Sequence, residues 1–257
     1  SKRKDQFKLL AKDLDKELSK TKTNWIDPSI KGLNKSCPGS IDIIFIPYLE
    51  RMNASLAYYK GFNIRNEFSS IDKWFCAFEN LDIYRGTQGD FHTHAHDLPP
   101  QMGGCFSDKN QKQKEFAELI DIGKGLGEQE TKFSRETQEK SKSIALSRVI
   151  KHHERITNVN PMMNGLFDQS LRAALTKMVT GKLCLPEKGS ALGLRYLRDR
   201  ISVPRDMPLL AARELRKALE ETAQLDGNAQ GPSIPFRNRF DQNPIPFING
   251  SEEISIN

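Results

Sequence analysis

Apolar residues in this chain recur at intervals of three and four, the spacing that gathers side chains onto one face of a helix. Phe7, Leu10, Leu14 and Leu18 form such a stripe through a Lys/Asp-rich segment. In "SIDIIFIPYLERMNASLAYYKGF" the repeat is Phe45, Leu49, Met52 and Leu56, and Gly61 marks its end. Pro47 falls early in that segment, where it is expected to kink the helix or sit near its first turn. "FSSIDKWFCAFENLDIYRG" brings Ile71, Trp74, Phe75 and Phe78 together behind a Ser69-x-x-Asp72 capping pair. Further on, Leu146, Val149, Ile150 and His153 share a face, as do Phe167, Leu171, Ala174, Leu175 and Met178. "ALGLRYLRDRIS" aligns Leu194, Leu197 and Ile201. The last periodic segment buries Leu215 and Leu219, with Asp206 expected as its cap and Pro208 just inside. No segment alternates convincingly with the period of a strand. The predicted fold class is all-α.

The intervals between these stripes suggest four regions. Residues 1–90 form a first set of helices, broken by the loop "TNWIDPSIKGLNKSCPGS". Residues 91–143 read as an irregular His/Pro/Gly loop followed by a charged insertion. Gly123, Gly125 and Gly127 interrupt any helix there, which makes 112–140 the best candidate for a mobile segment. Residues 144–226 supply further helices. The tail, 227–257, repeats "IPF" at 234–236 and 245–247. Proline favours extended chain, so Phe236 and Phe247 are expected to lie in grooves of this protein or of a partner.

Composition narrows the class. The 257 residues are enough for one large or two small cores, and 28% charged residues suit a well-solvated protein. No stretch approaches the roughly 18 consecutive apolar residues that span a bilayer. Cys37, Cys76, Cys105 and Cys184 are scattered and read as reduced thiols. The chain opens on Ser1 with no hydrophobic leader, so a removed presequence or an upstream segment is expected. The net charge is +6, and nine Lys/Arg against four Asp/Glu fall within Lys182–Lys217. That concentration suits an acidic protein surface or a membrane periphery. Arg195, Arg198 and Arg205 are its candidate docking residues, although Asp199, Asp206 and Glu214 stand close enough to pair with them. No nucleic-acid module signature is present. "GKGLG" at 123–127 lacks the preceding strand of a phosphate loop.

"GDFHTHAHDLPPQMGGC" concentrates three of the five histidines. On an extended strand, His92, His94 and His96 would point one way, with Asp97 and Cys105 near enough to complete a metal site. Against this, an all-α domain offers no sheet to hold such a strand. Imidazoles also satisfy loop carbonyls without any ion. A structural loop is the favoured reading, with metal binding by His92, His94 and His96 as the minority one. At His152-His153 one ring faces the core and the other solvent.

The helices of residues 7–86 resemble the C-terminal helical domain of glutathione transferases. The resemblance rests on "LAKDLDKELSKTKTNWIDPS…CPGSIDIIFIPYLERM" followed by "FSSIDKWFCAFENLDIYRG". "DFHTHAHDLPPQ" and "LRYLRDRISVPRDM…AARELRKALE" are similar to a glutathione-transferase-like family of plants and algae. The resemblance implies a helical bundle whose central helix is capped by an acidic side chain, here Asp42. Gly39 stands where that motif has Ser or Thr, and Ser40 follows one residue late. The thioredoxin-like half that binds glutathione and activates its thiol has no counterpart among these residues, which show no βαβ pattern and no Cys-x-x-Cys. Tyr58, Tyr59, Trp74 and Tyr84 are then core aromatics rather than the walls of a pocket.

The expected function is accordingly a non-catalytic, glutathione-transferase-like subunit of a larger protein assembly, in a plastid or alternatively the cytoplasm. No catalytic residue and no cofactor are assigned. The rival is a glutathione transferase, with glutathione as cofactor, whose first domain is encoded upstream. A metal hydrolase built on the histidine loop is a weaker third, lacking an evident general base.

Overall fold

The computed structural model describes residues 2–27, 37–102, 105–126, 135–162 and 165–226. Among these residues the chain is entirely helical, with no strand. Phe236 and Phe247 lie outside the described residues.

The first layer contains α1 (Lys2–Lys20), α2 (Ser40–Lys60), α3 (Ile64–Glu67), α4 (Ser69–Glu79) and α5 (Asp82–Thr87). Its core is largely aromatic. Trp74, Phe75, Phe78 and Trp25 are buried with Ile64 and Ile71, and the rings of Trp74 and Phe78 meet edge-on at 5.0 Å. The stripe on α1 is Phe7, Ala11, Leu14 and Leu18; Leu10, expected inside, faces out. Phe45 is likewise exposed, because the buried face of α2 runs through Ile46, Leu49, Asn53 and Ala57. Pro47 lies well inside α2, not in its first turn.

Side chains from neighbouring elements cap these helices. Asp42 is fully buried in the first turn of α2. Its carboxylate accepts the N–H of Gly39 at 2.9 Å, the N–H of Ile26 at 2.7 Å and the indole N–H of Trp74 at 2.6 Å. The expected Ser69/Asp72 pair does not cap α4. Asp15 of α1 does so from across the interface, accepting the N–H groups of Ser70 and Ile71 at 2.7 and 3.0 Å. Asp72 is occupied with Arg65 at 2.6 Å. Gly61 closes α2 in the left-handed region, φ +63°. A Cβ there would sit 2.6 Å from the backbone nitrogen of Gln113, so the next layer approaches α2 at a point only glycine permits.

The second layer comprises α8 (Arg135–Lys151), α9 (His153–Asn158), α10 (Leu166–Thr180), α11 (Ala191–Arg200) and α12 (Leu209–Ala223), ending in a 3-10 turn at Gln224–Asp226. Its core is mainly aliphatic: Leu171, Leu194, Leu215 and Leu219 are fully buried around Phe167 and Val149. Ile150, expected on the buried face of α8, is exposed because Ala145 and Val149 hold that face. Asp206 does not cap α12. Its carboxylate accepts the N–H of Ser202 at 2.8 Å, and Pro208 stands at the cap position.

Between the layers run α6 (Phe91–Met102) and α7 (Gln111–Asp121). The stretch expected to be irregular from 91 is helical over Phe91–Met102, and Gln111–Asp121 of the expected insertion is helical as well; residues 127–134 lie outside the described set. The helix α6 survives its proline pair because of tertiary contacts. Asp90 caps it, accepting the N–H of Thr93 at 2.9 Å. Pro99 has no N–H to offer the carbonyl of Ala95, and the hydroxyl of Tyr59 donates to that carbonyl instead, at 2.8 Å. Asn110 caps α7 through the N–H of Gln113 at 2.8 Å.

Candidate functional site

Helical geometry rearranges the histidines. Residues two apart on a helix point to nearly opposite sides, whereas residues four apart share a face. His92 and His96 therefore stack, with ring centroids 4.3 Å apart, and His94 turns away toward Glu50, 3.8 Å distant. The triple-histidine site on an extended strand is not formed. A different set converges in its place: His92 and His96 of α6, Asp121 at the end of α7 and Asp199 near the end of α11.

Distances within this set are short. The Nε2 of His96 lies 2.9 Å from Asp121 Oδ1, and its Nδ1 lies 3.8 Å from Asp199 Oδ2. His92 Nε2 is 3.4 Å from Asp199 Oδ1. Polar neighbours hold the carboxylates. The Tyr58 hydroxyl donates to Asp121 Oδ2 at 3.1 Å, and Arg198 Nε donates to Asp199 Oδ1 at 2.7 Å. Burial opposes charge on Asp199, but Arg198 and the two histidines outweigh it and hold its carboxyl well below the usual range. Asp121 is lowered in the same way, with Arg198 and His96 prevailing over burial. Burial, reinforced by Arg216 and His96, pushes His92 down to about 3, so it is a neutral imidazole near pH 7.

An ion-pair network continues the polar seam. Arg198 is buried, and its Nη1 donates to Glu220 Oε2 at 2.5 Å. Arg195 pairs with the same Glu220 at 2.8 Å. Deeper still, the wholly buried Arg216 of α12 binds Asp90, the carbonyl of Ile201 at 2.6 Å and the hydroxyl of Thr93 at 3.2 Å. The cap of α6 is thus bolted to α12. These contacts revise the docking expectation. Arg195 and Arg198 point inward because α12 presents Glu220 to them, whereas Arg205 stays on the surface beside Asp206, 3.0 Å away.

The remaining candidates separate. Tyr59, Trp74 and Tyr84 are buried; the hydroxyl of Tyr84 meets Glu50. His153 pairs with Asp168, and His152 lines a cavity of about 290 Å³ with Arg148, Val149, Ile156 and Leu215. On the opposite side of the molecule's chemistry, the outer face of α2 is apolar and exposed: Ile41, Ile44, Phe45 and Tyr48 retain between 41% and 67% of their accessible surface. Gly123 and Gly125 form the turn after α7 rather than a phosphate loop.

Two signals for this quartet were present in the sequence: the four-residue spacing of His92 and His96, and Asp199 among arginines. Nothing in "ELIDIGKG" distinguished Asp121. Comparison with models of protein families, with curated proteins and with solved structures gave no match. The class defined by the chain itself is an all-α helical protein with a charged seam. Among its described residues, no helix is long and apolar enough to cross a membrane.

Proposed function

We propose that this chain is a non-catalytic, glutathione-transferase-like helical subunit that docks onto another protein within a larger assembly, in a plastid, through the outer face of α2. One observation carries the reading. Ile41, Ile44, Phe45 and Tyr48 stand at helical spacing on one side of α2, while Asp42, Ile46 and Leu49 are buried on the other. An apolar stripe left in water costs free energy unless a partner covers it, and contiguous patches of this kind mark interaction surfaces. The partner is a protein with a complementary apolar groove. Phe236 and Phe247 of the tail remain partner-docking residues in this proposal.

The rival reading keeps the same surface and changes its occupant: a thioredoxin-like domain encoded upstream, bringing glutathione as cofactor. One experiment separates them. Tagged wild-type chain and a Phe45→Glu/Tyr48→Glu pair are expressed in the source cells and sized under native conditions. The proposal expects wild type in a complex with an identified separate protein, a monomeric double variant, and equal thermal stability for both. Equal elution of both as monomers counts against it. Retention on immobilised glutathione once the upstream coding sequence is restored supports the rival.

A further inference from the structure

We propose that His92, His96, Asp121 and Asp199 form a binding site for a divalent transition-metal ion of the zinc type, an ion that would tie the second layer to the two helices that run between the layers. The donor atoms of the four residues all lie within 4.8 Å of one another. Zinc bonds to imidazole nitrogen and carboxylate oxygen are about 2.0–2.2 Å, which puts tetrahedral donors roughly 3.3–3.5 Å apart. The 3.4 Å between His92 Nε2 and Asp199 Oδ1 equals that edge. His96 offers a single nitrogen to an ion, and its Nε2 stands 2.9 Å from Asp121 Oδ1. The remaining donor pairs, none beyond 4.8 Å, would close by side-chain rotation.

A second, independent observation points to a ligand. His92 is 2% exposed, and neither of its ring nitrogens makes a well-aligned hydrogen bond; the nearest acceptor, Asp199 Oδ1, stands 3.4 Å from Nε2. Leaving a buried polar group unsatisfied is costly, and native proteins rarely do so. One ring nitrogen of His92 lies within 4.8 Å of the donor atoms of His96, Asp121 and Asp199, where a cation would use its lone pair.

The surroundings suit such an ion. Tyr58 and Arg198 grip oxygens of Asp121 and Asp199, as outer-shell groups do around metal-binding carboxylates. Arg198 donates to Asp199 Oδ1 at 2.7 Å and to Glu220 at 2.5 Å, and its charge helps keep both aspartates anionic beside the cluster. Mixed imidazole and carboxylate donors select zinc and its neighbours over calcium or magnesium, which prefer oxygen alone. The four ligands come from α6, α7 and α11, so the ion acts as a staple between α6, α7 and the second layer. This site does not depend on the docking role of α2.

The test uses the complete chain, stripped with a chelator and then titrated with zinc and, separately, cobalt(II). Stoichiometric zinc retained through dialysis, a rise in Tm on loading, and cobalt d–d absorption of nitrogen and oxygen ligation are expected. His92→Gln and Asp199→Asn should each weaken zinc binding by at least about 10-fold. His94→Gln, on the opposite face of α6, should bind like wild type. Should the seam variants fail to fold, nitrogen-15 shifts of the imidazoles in wild-type protein decide the matter: zinc must move His92 and His96 and leave His94 in place. Absence of stoichiometric zinc on wild type, unmoved His92 and His96 signals, or unaltered affinity in His92→Gln overturns the proposal.

Discussion

The two apolar cores and the seam between them are held together by different physics. Trp74, Phe75 and Phe78 on one side, and Leu171, Leu215 and Leu219 on the other, are buried by a force that is roughly proportional to area and indifferent to direction. The seam is directional. Asp90 and Arg216 are buried as ions, and each of their contacts has a specified partner. The cores bury area, whereas the seam adds contacts that only one pairing of α6, α11 and α12 satisfies. A buried ion pair need not stabilise relative to an apolar one, but breaking it leaves a lone charge in a poor solvent.

That contrast can be broken most severely at Arg216. Arg216→Ala strands Asp90 beneath α12 and should cost about 3–5 kcal/mol, measured by urea denaturation. Pairing Arg216→Met with Asp90→Leu should recover much of the loss. Failure to recover would show that the seam carries stability, not only register. The aromatic core offers the next test. Asp42→Ala would cost ~1–2 kcal/mol if the carboxylate only capped α2. Because it also serves Ile26 and Trp74, the expected loss is about 3 kcal/mol, with a change in Trp fluorescence.

Acid sharpens the same comparison. The His92 pKa is depressed from its ordinary 6.5 to about 3, so between those values the unfolded chain takes up a proton that the folded chain refuses. Stability therefore falls as pH drops through that window, by up to about 1.4 kcal/mol per pH unit for this one group. The groups facing His92 are Asp199, His96, Arg216 and Asp90. His92→Gln should flatten the pH 7 to pH 5 difference in urea midpoint, and an undiminished slope would assign the acid sensitivity elsewhere. The smallest expected effect is at Tyr59. Tyr59→Phe removes the donor that stands in for the missing N–H of Pro99 and should cost about 1 kcal/mol, with amide exchange rising in α6 before the cores.

Most helices were legible because amphipathic periodicity is a local property. Phe167, Leu171, Ala174 and Met178 are buried on α10 at the spacing that predicted them. The failures share one cause. Leu10, Phe45 and Ile150 look like core residues to any periodic count, but which of two adjacent apolar stripes is covered depends on where the neighbouring helix lands. The "HTHAHDLPP" run looked irregular because prolines and histidines disfavour a helix locally. Asp90, Tyr59 and the flanking layers override that preference.

By itself, then, the order of residues determined the all-α class and the buried faces of α10 to α12, since these follow from side-chain spacing and backbone propensity within a few residues. Only the tertiary structure decided that His92 and His96, not His94, share a site with Asp121 and Asp199, or that Arg195 and Arg198 turn inward to Glu220. Those partners are brought together from up to about a hundred residues away, and electrostatic pairing at such separation depends on how whole helices pack, which no local pattern encodes.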